Sequence, residues 1–125
     1  MKKGKVTLGV NLIGVRDLKR ARPFYEKIIG MHFIEFRPPF AEATLGKALF
    51  NIEEDAQYRE KEWAKKNIGG RKSCVFDVKD MDYFLKRATK AGARIIEQPK
   101  LQPWGWINAV ITDLDGNEFC IEQEA

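Results

Sequence analysis

The chain has 125 residues, of which 44% are hydrophobic and 32% charged, and its formal net charge is +4. That length suits one domain, or two half-size modules sharing a core, and no apolar run approaches the roughly 20 residues that cross a bilayer. The cations Lys19, Arg20, Arg22 and Lys27, then Lys86, Arg87 and Lys90, are spread over predicted helices and interleaved with acids through 53–66. This is the pattern of solvated helix faces and not of a nucleic-acid stripe.

The positive balance implies only a mild preference for anionic ligands. Met1-Lys2-Lys3-Gly4-Lys5 is basic, but Val6 to Val15 alternates like a strand and lacks the apolar stretch and cleavage site of a signal peptide. A cytoplasmic location is therefore expected. Cys74 and Cys120 fall in predicted strands without C-x-x-C spacing, as buried, reduced thiols do.

In chain order, Lys5 to Val15 reads as a strand, with Val6, Leu8 and Val10 alternating with Thr7 and Gly9. Asp17 suits an N-cap, and Pro23 suits the first position of a helix, so a turn over 17–22 and a helix from Pro23 to Ile29 are predicted. Leu18, Ala21, Tyr25 and Ile28 keep helical spacing, and Gly30 closes the helix. Three strands follow: Met31 to Arg37, ended by Pro38-Pro39, then Ala41 to Leu45 and Lys47 to Glu53 around a turn at Gly46. Glu54 to Asn67 is charge-rich and free of Gly and Pro, which predicts a connecting helix carrying Tyr58 and Trp63, closed by Gly69-Gly70.

A second unit begins at Arg71. Ser73 to Val78 is its first strand, and Asp80 caps a helix whose apolar positions are Met81, Phe84, Leu85, Ala88 and Ala91, ended by Gly92. Arg94 to Gln98, Ile107 to Thr112 and Glu118 to Gln123 are its other strands, the last two joined by a tight turn at Asp115-Gly116.

The two units are copies of each other. Val15-Arg16-Asp17-Leu18 recurs as Val78-Lys79-Asp80-Met81, at an offset of 63 (78 minus 15). Gly30-x-x-x-Ile34-Glu35 recurs as Gly92-x-x-x-Ile96-Glu97, at an offset of 62 (92 minus 30). Phe50-x-Ile52-Glu53 recurs as Phe119-x-Ile121-Glu122, at an offset of 69 (119 minus 50). The expected fold is α+β: two βαβββ modules forming a concave mixed sheet around a cavity. The modules cover 5–53 and 71–123, with the connecting helix and linker at 54–70.

This order, with Asp17-Leu18-Lys19-Arg20-Ala21-Arg22-Pro23-Phe24-Tyr25 through Gly30, then Trp104-Gly105 and Asp113-Leu114-Asp115-Gly116-Asn117, resembles the vicinal oxygen chelate superfamily. That superfamily includes glyoxalase I, epimerases, ring-cleaving dioxygenases, fosfomycin-resistance enzymes and the bleomycin-resistance group. The resemblance covers about residues 6–123 and implies fold more than activity. In the superfamily's enzymes each module contributes two inward side chains, from its first and last strands, to a divalent metal. The usual ligands are His, Gln and Glu.

Carried over by position, the resemblance assigns those places to Val10, Asn51, Ser73 and Cys120. Valine cannot ligate, serine and asparagine are poor ligands alone, and one thiolate without imidazoles is a thin site. The single histidine, His32, lies on another strand. The expectation is therefore no metal and no other cofactor. Glu53 and Glu122 share a strand face with Asn51 and Cys120, so they either reach solvent or form a displaced carboxylate pair.

The resemblance points to a small-molecule cavity. Gln102-Pro103-Trp104-Gly105-Trp106 is similar to an element of the bleomycin-resistance group in which aromatic side chains flank a groove for planar ligands. Trp104 and Trp106 are either that wall, or one is core and the other an exposed loop residue. Phe36, Arg37 and Phe40 either form the opposite wall or pack a loop. Phe50, Phe76, Phe84 and Phe119 read as core. Candidate ligand-binding residues are thus Trp104, Trp106, Phe36, Arg37, Phe40, Asn51, Ser73, Cys120 and Glu122, and no catalytic residue is assigned.

Two functions remain open. One is a binding protein for a planar or aromatic small molecule. The other is a lyase, isomerase or dioxygenase with an atypical metal site, or a metal-free catalyst using His32, Cys120 or Glu122. The resemblance also implies a homodimer. No nucleic-acid or membrane partner is expected.

Overall fold

In the computed structural model of the protein, the described residues are Gly4, 9–55 and 74–124. Ser73, most of the linker with Tyr58 and Trp63, and the expected strand's first residues lie outside them. Strand β1 (Asn11–Val15) leads into helix α1 (Leu18–Pro23), which continues as a π-helical segment, Phe24–Ile29. Strands β2 (His32–Arg37), β3 (Phe40–Leu45) and β4 (Ala48–Glu54) complete the first module. The second module runs through β5 (Val75–Asp77), α2 (Met81–Lys90), β6 (Ile95–Leu101), β7 (Trp106–Thr112) and β8 (Glu118–Glu124).

Each module builds a mixed four-stranded sheet, in the orders β1-β4-β3-β2 and β5-β8-β7-β6. The first strand of each runs parallel to the last, and the remaining pairs are antiparallel. This is the α+β, twice-repeated βαβββ arrangement that the repeat predicts. Even the register repeats, since Leu12 lies opposite Asn51 and Val75 lies opposite Cys120.

The helix starts show why the repeated residues are kept. The Asp17 carboxylate accepts from the Arg20 amide at 3.1 Å, and Asp80 accepts from the Tyr83 amide at 3.0 Å. The preceding orphan amides are met from the last strands, where Glu54 accepts from Leu18 N at 2.9 Å and Gln123 accepts from Met81 N at 2.5 Å. Two of the donors that a helix N-terminus leaves open are thus satisfied in each module.

The first helix differs from expectation. It starts at Leu18, not at Pro23, because Asp17 and Glu54 together fix the earlier start. Pro23 then sits inside the helix and has no N–H to donate to Lys19 O. The hydrogen-bond ladder changes there, and Gly30 N donates to Tyr25 O, five residues back, at 3.1 Å. The offset between the copies falls from 63 (78 minus 15) to 62 (92 minus 30) across this helix, which means one extra residue in the first copy. A π-helical turn is how a helix absorbs one extra residue.

Strand β6 is longer than expected and runs through Pro99. It is an edge strand with two register shifts, which is where a sheet tolerates proline. In α2, Ala91 is the exposed cap, and Ala93 enters the core instead. Gly92 has φ 108°, and a Cβ there would stand 2.6 Å from Leu114 Cδ2, so this turn needs glycine.

Both modules contribute to one core, which includes Val15, Leu18, Phe50, Phe76, Phe84 and Phe119. The ring of Tyr25 meets Phe119 edge-on at 6.3 Å. The β7–β8 turn clasps the first module. Asp115 accepts from Arg16 N at 3.0 Å and from Arg20 Nη1 at 2.9 Å, and Asn117 Nδ2 donates to Gly14 O at 2.8 Å. Tyr25 OH donates to Asp113 Oδ2 beside them. The Asp-x-Asp-Gly-Asn run therefore joins the two halves.

Candidate functional site

Strand alternation divides each sheet into a helix-facing side and an open side. In β4, Phe50 and Ile52 are buried against the helices, so Asn51 and Glu53 point the other way. In β8, Phe119 and Ile121 are buried, which leaves Cys120 and Glu122 on the open side. Register then fixes their neighbours. Leu12 and Glu42 flank Asn51, and Phe40 lies beside Glu53. Val75 and Val110 flank Cys120, Asp77 and Asn108 flank Glu122, and Trp106 lies beside Glu124.

Asn108 is a candidate site residue that the sequence reading missed, although the period-2 pattern of β7 carried the signal. Its Nδ2 donates to Glu122 Oε1 at 3.2 Å, while its buried Oδ1 has no hydrogen-bond partner among the described residues. A hollow of about 360 Å³ lies beside this face, lined by Asp77, Lys79, Trp106, Gln123 and Glu124 among others. The open sides are rich in carboxylates: Glu35, Glu42 and Glu53 in the first sheet, with Arg37 beside them, and Asp77, Glu97, Glu118, Glu122 and Glu124 in the second, with Lys100 beside them. The chain's net positive charge is thus not the charge of this surface.

The other expected residues separate. Phe36 turns to the helix side, where the Arg22 guanidinium lies 4.6 Å from its ring centroid and Phe33 packs edge-on at 5.9 Å. Arg37 is exposed and paired with Glu35 at 2.6 Å. Phe40, at the start of β3, is half-buried on the open side. Trp104 is 62% exposed in the β6–β7 turn, ahead of the strand that begins at Trp106, so the two rings do not share a strand face. Val10 is half-buried just before β1. Cys74 lies opposite in alternation to Val75, hence away from Cys120, and the two thiols are not joined.

The model of the Glyoxalase/Bleomycin resistance protein/Dioxygenase superfamily matches residues 7–121. The chain belongs to this superfamily. Among solved structures, it is similar to a glyoxalase/bleomycin resistance protein/dioxygenase family enzyme from Burkholderia phytofirmans PsJN. That match has 27% identity and a TM-score of 0.73, covering 91% of this chain and 95% of the other. It is also similar in fold to TioX from Micromonospora sp. ML1, at 21% identity and TM-score 0.66, covering 95% and 97% of the two chains. The bleomycin resistance determinant encoded on transposon Tn5 matches at 18% identity and TM-score 0.63, covering 95% and 98%. No curated protein matches.

The superfamily's metal positions do not fit a metal here. Val10 has no donor atom, and Asn51 and Cys120 offer an amide and a thiol where His, Gln and Glu are usual. Among the described residues, no three His, Cys, Asp or Glu side chains come together as a ligand set.

Proposed function

We propose that the protein is a metal-independent small-molecule binding member of the superfamily that takes a planar or aromatic ligand against its open sheet faces. The observation that carries this reading is the substitution of the superfamily's ligand positions by Val10, Asn51 and Cys120 on a fold that otherwise keeps its shape. A ring stacked near Trp106 has an apolar partner, with Phe40 and Val110 as further apolar surface. Glu122 and Asn108 Oδ1, a buried acceptor that no described residue meets, favour a ligand that presents N–H or O–H donors. The acidic surroundings favour a neutral or cationic ligand over an anion. Trp104 and Arg37 belong to this reading as rim residues.

The binding unit is a cytoplasmic homodimer. Leu12, 62% exposed, and Val75, 54% exposed, occupy equivalent places on the two open faces. A second copy would remove both from water.

Native mass spectrometry of freshly purified protein tests the reading. A dimer of bare polypeptide mass, or one carrying an organic adduct, is the expected result. One divalent metal per subunit, kept through desalting and lost in Cys120→Ala or Glu122→Ala, would overturn it.

A further inference from the structure

We propose a second ligand site, for an elongated amphipathic carboxylate, in the groove between the modules on the helix side. It meets the open face of the second sheet only along the β5 edge, at Val75 and Asp77, and does not depend on the function proposed for that face. The groove measures about 530 Å³, inside the range of roughly 300–1,000 Å³ of small-molecule clefts. Ile28, Ile29 and Leu45 of the first module form one wall, and Phe76, Val78 and Phe84 of the second form the other. Most of these side chains are only half-buried, so each lends the core one side and the groove another.

The head-group end is built around Arg87. Its Nη2 donates to Lys27 O at 2.8 Å, and its guanidinium lies 5.6 Å from the Tyr83 ring centroid. One nitrogen is thus tied to the first module while the group sits over an aromatic ring, and among the described residues the remaining N–H groups are left for a ligand. A guanidinium held in this way is preorganised for a carboxylate, because little rotamer freedom is left to lose on binding.

The opposing charges sit at the other end. Asp80 is seven residues back along the helix, about 10 Å at 1.5 Å per residue, and its carboxylate is engaged by the Tyr83 amide. Asp77 projects to the open side beside Glu122, and Lys79 lies between the two acids in sequence. The groove is therefore apolar along its length and cationic where Arg87 stands. That arrangement selects an anion with a long apolar body.

One rival occupant is a strand of a second copy. Cys120 N donates to Cys74 O at 2.9 Å and Val78 N to Glu122 O at 2.8 Å, so β5 turns alternate residues toward β8 and the amides of Val75 and Asp77 outward. Among the described residues, no strand pairs with that edge.

The test is a titration of the full-length, isotope-labelled protein with decanoate, followed by amide and methyl NMR shifts, with 1-decanol as the uncharged control. The expected result is saturable shifts at Ile28, Ile29, Leu45 and the Val75–Asp80 amides. Arg87→Ala is expected to weaken decanoate binding about tenfold or more, as loss of a charge-assisted hydrogen bond does, and to leave 1-decanol unchanged. Leu45→Glu, at a half-exposed position, should abolish binding while the spectrum stays folded. Shifts confined to Val110, Cys120 and Glu122 would overturn the proposal. So would decanoate affinity indifferent to both variants, or shifts at Ile28, Ile29 and Leu45 that follow protein concentration without decanoate, the mark of a second copy in the groove and not on the open face.

Discussion

Asp113 is the buried carboxyl on which the two modules meet. Its Oδ1 accepts from the amides of Asp115 and Asn117 at 2.8 and 2.9 Å, and its Oδ2 takes Tyr25 OH and Asn117 Nδ2. Burial holds its pKa above the ordinary carboxylate value, and the hydrogen bonds from Asn117, Tyr25 and the two amides pull it down without cancelling that rise. In the unfolded chain the group titrates near 3.8, so the folded protein holds this proton more tightly. The stabilising contribution is complete below that value and is lost as pH rises through the folded pKa. Asp113→Asn removes the titration and turns an amide N–H₂ toward Asn117 Nδ2, at a cost of about 1–3 kcal/mol for the unmet polar groups. Urea unfolding of both proteins from pH 3 to 7 should show the stability gap widest in acid and narrowing as pH rises. A gap constant across that range would contradict the assignment.

At the scale of elements, the repeat made most of the fold legible before any coordinates. Asp17 and Asp80 cap their helices as their spacing implies, and Gly30 and Gly92 end them in left-handed conformations. Asp17→Ala is expected to cost about 1 kcal/mol, the usual worth of an N-cap, as a lowered midpoint in thermal unfolding. Two features escaped sequence reading for identifiable reasons. Pro23 favours a helix start in isolation, but the start is set by Glu54, whose carboxylate arrives from a strand 36 residues away. Phe36 reads from the sequence as either a cavity wall or loop packing, and a bulge between Phe33 and Glu35, which inserts one residue and reverses the alternation beyond it, turns it to the helix side instead. Phe36→Ala should therefore lower stability by about 3–5 kcal/mol at most, less if Arg22 and Phe33 close the gap, with ligand affinity preserved. Phe40→Ala and Trp106→Ala should do the reverse. Calorimetry paired with a binding assay separates the two patterns.

At the scale of the whole molecule, composition and site point in opposite directions. A net charge of +4 suggests anionic ligands, but by register the open faces gather more acids than cations, with Arg37 and Lys100 set among carboxylates from β2 to β6 and β8. Their positive counterparts Lys19, Arg20, Lys86 and Lys90 ride on the helices. Only the strand register reveals this segregation, because neighbours across a sheet are far apart in sequence. The same register brings Leu12 and Val75 to equivalent exposed places, a fixed 63 residues apart (75 minus 12). Burying a leucine or valine stabilises by about 1.5–3 kcal/mol, and two-fold symmetry counts each contact twice. Leu12→Asp and Val75→Asp therefore bear directly on the proposed dimer. Each substitution replaces an exposed side chain, so circular dichroism should be unchanged while sedimentation shifts from dimer to monomer. If ligand binding disappears along with the dimer, the cavity is shared between subunits. If binding survives in the monomer, each chain holds its own cavity, and the dimer serves only to cover apolar surface.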